Sequence, residues 1–181
     1  MPEVKKIAVG SDHAAAPVKD QLVQRLRDKG WEVVDYTVLV DGRADYPVAG
    51  RKVAEAVARG EFPKGLLLCG TGLGMSYVAN RVKGIRAALC MNVEFAKLSR
   101  EHNDANILVM PGRATIYEPH EKILEAWLDT PLSGDHPHVQ RIPTIADVTQ
   151  CTTTIAGSAT PPAPTARPGR AKAAWPGASP G

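Results

Sequence analysis

Short apolar runs alternate along this chain with stretches of helical periodicity. Ile7-Ala8-Val9 predicts a first strand. Val18, Leu22, Val23 and Leu26 then fall on one helical face, and Gly30 follows as a helix stop. Trp31 to Tyr36 reads as a second strand, and a helix over 48–60 would turn Val53, Ala54 and Val57 inward. Leu66-Leu67-Leu68-Cys69 is a third strand with no polar alternation, the mark of a strand covered on both faces. A short helix over 73–81, a fourth strand over Ile85–Cys90 and a helix over 93–102 come next. A fifth strand at Ile107–Met110 precedes a helix near 118–128, which carries Ile123, Leu124, Trp127 and Leu128. A last short helix is predicted over 143–150. Strands alternating with helices predict a three-layer, Rossmann-like α/β fold, with a five-stranded parallel sheet and helices on both faces.

Composition changes this picture only at the end of the chain. The 181 residues carry 22 Lys and Arg against 19 Asp and Glu, a formal net charge of +3. The whole excess, Arg167, Arg170 and Lys172, lies in residues 157–181, which hold no acid and are rich in Pro, Ala and Gly. The expected organisation is therefore a neutral domain over 1–156 followed by a basic, disordered tail over 157–181. Three charges offer too few phosphate contacts for much nucleic-acid affinity, so no nucleic-acid partner is expected. Three cysteines are few and odd in number, which fits a reducing compartment. The start shows no signal peptide, and no apolar run approaches the roughly 18 residues of a membrane span. The expectation is a cytoplasmic protein with no membrane partner.

In an open parallel sheet, ligands bind beyond the carboxyl ends of the strands. Four segments follow strands here: Gly10-Ser11-Asp12-His13, Asp45-Tyr46-Pro47, Cys69-Gly70-Thr71-Gly72-Leu73-Gly74 and Pro111-Gly112-Arg113. The glycine turn can aim backbone N–H groups at an anion, helped by the start of the following helix. Three familiar phosphate loops fail on spacing. Met75 stands where a dinucleotide fingerprint needs glycine, and where a cysteine phosphatase loop needs arginine. The turn also lacks the lysine of a Walker loop. An oxyanion cradle with a cysteine at its entrance remains. Cys69 is either a thiol whose ionisation backbone dipoles favour, or a small apolar residue ending a strand. Cys90 and Cys151 read as the latter.

Asp12 or Ser11 is expected to cap the first helix, and Asp12 and His13 can also meet a ligand. Ser99-Arg100-Glu101-His102-Asn103-Asp104 closes the fourth helix. His102 there either complements the helix dipole or, with Asn103, acts as an acid–base and amide pair. The five histidines, His13, His102, His120, His136 and His138, show no metal-ligand spacing, so no metal is expected. His136-Pro137-His138 reads as a loop.

These segments, in this order, resemble the ribose-5-phosphate isomerase B family of ribose, galactose and allose phosphate isomerases. The match runs over about residues 5–145 and includes Met75-Ser76, Ala79-Asn80, Gly84 to Cys90 and Ser99 to Asn106. The resemblance implies interconversion of ribose 5-phosphate and ribulose 5-phosphate through an enediolate, without cofactor. By resemblance, Cys69 would be the base and Gly70, Gly72 and Gly74 would present the oxyanion amides. Thr71 would move the hydroxyl proton, and His102 with Asn103 would open the furanose ring. Asp12 and Tyr46 would contact the sugar; His13, Arg113, His138 and Arg141 would hold the phosphate. The family is dimeric with its sites between subunits, so a homodimer is implied. Alternatives are a six-carbon aldose phosphate as substrate, such as allose or galactose 6-phosphate, or a non-catalytic sugar-phosphate-binding module. This chain departs from the family at Pro137, where an arginine is common, so that one phosphate contact would be lost or taken over by His136. Ala14-Ala15-Ala16 replaces a bulkier start of the first helix and implies a more open pocket. Met75 is not the glutamate that some relatives use as base, which favours the cysteine.

Overall fold

The computed structural model describes residues 5–146. Along the chain it contains β1 (Lys6–Ser11), α1 (Ala16–Asp28), β2 (Glu32–Asp35), α2 (Tyr46–Ala58), β3 (Lys64–Cys69) and α3 (Leu73–Ala79). There follow β4 (Ala87–Leu89), α4 (Val93–Asn103), β5 (Ile107–Pro111), α5 (His120–Asp129) and α6 (His136–Ala146). The strands pair in the order β2-β1-β3-β5-β4, all parallel. Because strand side chains alternate faces, the sheet splits the core in two. Ile7, Val9, Leu66, Leu68, Leu108 and Met110 meet Leu22 and Leu26 of α1 and Ile123, Leu124 and Trp127 of α5. Ala8, Leu67, Cys69, Ile107 and Val109 meet Val53 and Val57 of α2 and Met75 and Ala79 of α3. Every β3 residue is buried, which explains its unbroken apolar run.

Two elements differ from expectation. The fourth strand is shorter than 85–90: ahead of it, the Ile85 and Arg86 N–H groups go to Val82 O and to the Asn106 side chain. Asn106 Oδ1 accepts from Arg86 N at 2.8 Å, and the Asn80 amide both accepts from Ala87 N and donates to Ala87 O, at 2.8 and 2.9 Å. Asn80 thereby covers the open edge of the sheet, where unpaired strand groups invite another strand. The last helix begins at His136, seven residues before the predicted start, so His136-Pro137-His138 is its first turn and not a loop. A proline at the second helical position sacrifices an N–H that has no acceptor there anyway. Ala15 itself is fully buried, and a Cβ placed on Gly112 would come 2.4 Å from its own Cβ. Residues 147–150 of the predicted helix, Cys151, the boundary at 156, the tail and the side chain of His136 lie outside the described residues.

The parallel register puts Ser11 beside Leu68, Cys69 beside Pro111 and Leu89 beside Val109. All strand carboxyl ends therefore share one edge, and each following helix returns toward the other.

Candidate active site

The carboxyl edge is built on Cys69, the last residue of β3. Its thiol faces the α2–α3 layer and is 5% exposed. The chain then turns through Gly70 and Thr71 to Gly72, which caps α3 with φ +77°, a left-handed conformation that favours glycine. A Cβ on Gly72 would come 2.4 Å from Leu89 Cδ1, so the turn also presses on β4. A Cβ on Gly74 would come 2.6 Å from Tyr46 Cε2; the tyrosine ring lies directly on that glycine. Tyr46 opens α2 and is still 40% exposed. The glycines are thus needed as much for close approach as for chain freedom.

Asp12 ties the first and third strand ends together. One carboxylate oxygen accepts from Ala15 N at 2.9 Å, closing the turn ahead of α1, and the other accepts from Gly70 N at 3.3 Å. The N-cap position of α1 is Ala15 and has no side-chain cap, so neither Asp12 nor Ser11 caps the helix as expected; Asp12 instead closes the turn ahead of it and shares its carboxylate with the glycine turn. The Ser11 hydroxyl is buried without a partner among the described residues. The fifth strand end joins through Gly112 N on Cys69 O at 2.8 Å and through Arg113 N and Ala114 N on Gly70 O at 3.0 and 2.9 Å. Arg113 is exposed at this edge, as is His13, whose Nδ1 lies 3.3 Å from Ala44 O.

Gly70 N is spent on Asp12, and Leu73 N is spent on the Thr71 hydroxyl oxygen at 3.3 Å. The amides of Thr71, Gly72 and Gly74 pair with no acceptor among the described residues. Unpaired N–H groups around a helix start form a cradle for negative charge. The Thr71 oxygen accepts from the backbone, which leaves its own O–H free to donate. Among the described residues, no group of three His, Cys, Asp or Glu side chains could hold a metal ion.

A device missed in the sequence supports this edge. Lys19 lies on the buried stripe of α1 and pairs with Asp20 and Asp35. Asp35 in turn accepts from Thr37 N, and the Thr37 hydroxyl accepts from Ser11 N at 3.0 Å. Burial works against the Lys19 charge, but its two carboxylate hydrogen bonds outweigh that and raise its pKa above the ordinary lysine value. Burial likewise opposes the Asp35 charge, and the Lys19 and Thr37 hydrogen bonds outweigh it and hold its carboxyl below the ordinary value. A lysine on an otherwise apolar helical stripe was the available signal.

His102, Asn103, His138 and Arg141 form a second group. His102 and Asn103 end α4, while His138 and Arg141 lie on α6, which packs against α4. The His102 and His138 rings stack with centroids 4.0 Å apart and planes 5° from parallel. This group is not at the Cys69 edge. α4 finishes just before Ile107, the residue paired with Gly65, four positions before Cys69 on β3. Four strand steps are roughly 13 Å along the sheet. One chain thus brings Asp12, His13, Tyr46, Cys69, Gly70, Thr71, Gly72, Gly74 and Arg113 to one edge. His102, Asn103, His138 and Arg141 gather at the other. Cys90, buried beside Ser99, offers no second base, since burial pushes its thiol up to about 11.

Known proteins share both the sequence and the shape. Residues 7–145 match the model of the Ribose/Galactose Isomerase family. Ribose-5-phosphate isomerase B of Escherichia coli is 42% identical over 147 residues, covering 81% of this chain and 98% of that protein. The galactose-6-phosphate isomerase subunit LacB of Clostridium acetobutylicum is 40% identical over 123 residues, covering 68% of this chain and 71% of that protein. The crystal structure of a ribose 5-phosphate isomerase from Thermotoga maritima superposes with a TM-score of 0.74 at 46% identity, covering 79% of this chain and 98% of that one. A five-stranded parallel sheet with helices on both faces, and agreement over 98% of the Escherichia coli and Thermotoga maritima relatives, leave one assignment: the chain belongs to the ribose/galactose isomerase family and is an aldose–ketose isomerase of sugar phosphates.

Proposed function

We propose that the protein interconverts ribose 5-phosphate and ribulose 5-phosphate, with Cys69 moving a proton between C2 and C1 and with no cofactor. The observation that carries this reading is a cysteine buried at the mouth of a turn whose Thr71, Gly72 and Gly74 amides are unspent. The thiolate takes the C2 proton of the open-chain aldose, and the electron pair moves toward the carbonyl to form an enediolate. Preorganised amides stabilise that developing charge without reorganising during the reaction. Thr71 passes the hydroxyl proton between O2 and O1, and Cys69 returns its proton to C1. Asp12 and Tyr46 contact the sugar, and His102 with Asn103 opens the furanose ring. His13, Arg113, His138 and Arg141 hold the phosphate, for which arginine forks are suited.

The two groups of residues stand at opposite edges of one sheet, and a homodimer would resolve the separation. His102 and Asn103 of the partner subunit would then face Cys69, with two sites per dimer. Exposed Leu73 and Tyr77 on α3, and Phe95 and Leu98 on α4, supply apolar surface for such an interface. The similarity to a galactose-6-phosphate isomerase subunit favours a second reading, a six-carbon aldose phosphate as substrate. A cytoplasmic location is part of the proposal; no helix among the described residues is long and apolar enough to cross a membrane. Turnover of five- and six-carbon aldose phosphates, with and without chelator, tests the assignment. Faster turnover of the pentose, unaffected by chelator, is expected; a faster hexose would transfer the assignment to the second reading, and no turnover of either would refute the substrate proposal.

A further inference from the structure

We propose that Arg86, Arg100 and Asp104 form a clamp that positions His102 and Asn103 for ring opening, an inference that rests on the ring-opening role proposed above. Asp104 caps α4 with φ +46° and ψ +48°, a left-handed conformation in which a non-glycine residue is unusual. Two arginines hold it there. Arg86 Nη2 donates to Asp104 Oδ2 at 2.8 Å, and Arg100 Nη1 donates to Asp104 Oδ1 at 2.7 Å. Arg86 Nε is shared between Asn103 O and Asp104 O, both at 2.9 Å. Arg100 Nη1 reaches on to Ala105 O at 2.7 Å, and its Nε reaches Thr130 O at 3.3 Å. Its guanidinium lies 5.6 Å from the centre of the buried Trp127 ring.

The arrangement surrounds the two residues it serves. Arg100 precedes His102 and Asn103 in α4, and Asp104 follows them. Ser133 N adds a further bond to Glu101 O at 3.0 Å. Of the closing carbonyls of α4, which a helix leaves without partners, Asn103 O is thus tied to Arg86, just ahead of β4, and Glu101 O to Ser133 in the segment before α6, while the Arg100 side chain ties the same turn to Thr130 at the end of α5. One carboxylate between two guanidiniums leaves a net positive charge at a helix C-terminus, where the helix dipole favours it. Both arginine side chains are mostly buried, at 18% and 12% exposure, and turned inward onto protein oxygens. They are therefore positioning groups and not candidates for holding phosphate. His102 is fixed from the other side by its stack on His138. A planar fork with fixed donors suits this task; a lysine keeps the charge and loses the simultaneous bonds.

The test compares two aldose phosphates on the purified full-length protein. Ribose 5-phosphate closes to a furanose and needs opening. Erythrose 4-phosphate cannot close a five-membered ring, because its O4 carries the phosphate. Arg86→Lys is expected to lower kcat/KM for the pentose by about 10- to 100-fold, the scale on which misplaced groups cost rate, and to leave the four-carbon aldose within about twofold, the ring-opening cost being absent there. Asp104→Gly, which accepts the left-handed conformation without strain, should show the same selectivity even if Arg86→Lys folds poorly. His102→Asn is measured beside them. Selective loss in all three variants supports the clamp. Selective loss in His102→Asn alone overturns the clamp and leaves the ring-opening role standing. Equal loss on both substrates in His102→Asn overturns the ring-opening role and the clamp with it.

Discussion

The two edges of the sheet are made by different means. At the carboxyl edge, functional groups sit on tight turns directly after strands. Asp12 joins two of those turns through its carboxylate, and Gly72 and Gly74 admit Leu89 and Tyr46 at distances a Cβ would forbid. At the amino edge, His102 and Asn103 sit in the last turn of a helix and are held by Arg86, just ahead of β4, and by side chains of α4 and α6. The first group is placed by backbone geometry and the second by side-chain pairing. Proton transfer needs amides that do not move, which strand-end turns supply. Ring opening needs a side-chain acid–base, which a helix end can present toward another subunit.

The largest expected effect breaks the first edge. Cys69→Ala should reduce turnover by about 10²- to 10⁴-fold, the usual contribution of a positioned base, and should stop solvent deuterium entering C1 of the product. Retained substrate binding in a titration would confirm that only the base was lost; near-normal exchange would remove Cys69 from the chemistry. Mixing comes next. Cys69→Ala and His102→Asn protein, unfolded and refolded together, should recover about a quarter of wild-type activity if each site draws on two chains, since half the dimers are mixed and each mixed dimer holds one intact site. No recovery would mean that each chain works alone. Gly72→Ala should cost about 2–3 kcal/mol, from a left-handed backbone plus overpacking, measurable as a lower denaturant midpoint.

A smaller effect probes the ion pair beneath the carboxyl edge. Asp35→Asn should cost about 2 kcal/mol, below the usual figure for a broken buried pair, because Asp20 still meets Lys19 and Asp35 is partly exposed. The native pair has a defined pH window. The depressed Asp35 pKa stabilises the fold above the ordinary carboxylate value of about 4, and that contribution fades as pH falls through the folded-state value. The raised Lys19 pKa stabilises it below the ordinary lysine value of about 10.4, and that contribution fades as pH rises through the folded-state value. Melting curves against pH should therefore lose the acid flank in Asp35→Asn and keep a weakened alkaline flank, because Asp20 still raises the Lys19 pKa. The smallest effect is expected from deleting 157–181, which should leave turnover and subunit assembly unchanged; loss of assembly on sizing would give the tail a structural part.

Much of the molecule was legible without coordinates. The period-2 and period-3.6 patterns located all five strands and the first five helices, because each element must bury its own apolar face. The last helix was misplaced: Pro137 reads as a loop residue until it is recognised at the second position of a helix, where its missing N–H costs nothing. The fourth strand was read too long, because apolar pattern cannot show that the Asn106 side chain takes the Arg86 N–H ahead of it. The glycine turn and Asp12 were visible as a motif, whereas the carboxylate contact between them was not.

The sequence alone determined the alternation of strands and helices, and with it a parallel sheet whose strand ends converge. It also determined the residues that cap those strands, since a turn's chemistry is written in adjacent positions. Only the tertiary structure decided that His102 stands on the opposite edge from Cys69, that His138 stacks upon it, and that Arg86 reaches Asp104. Those relations join segments far apart in the chain. They depend on strand order and on the return direction of each helix, which no local period encodes.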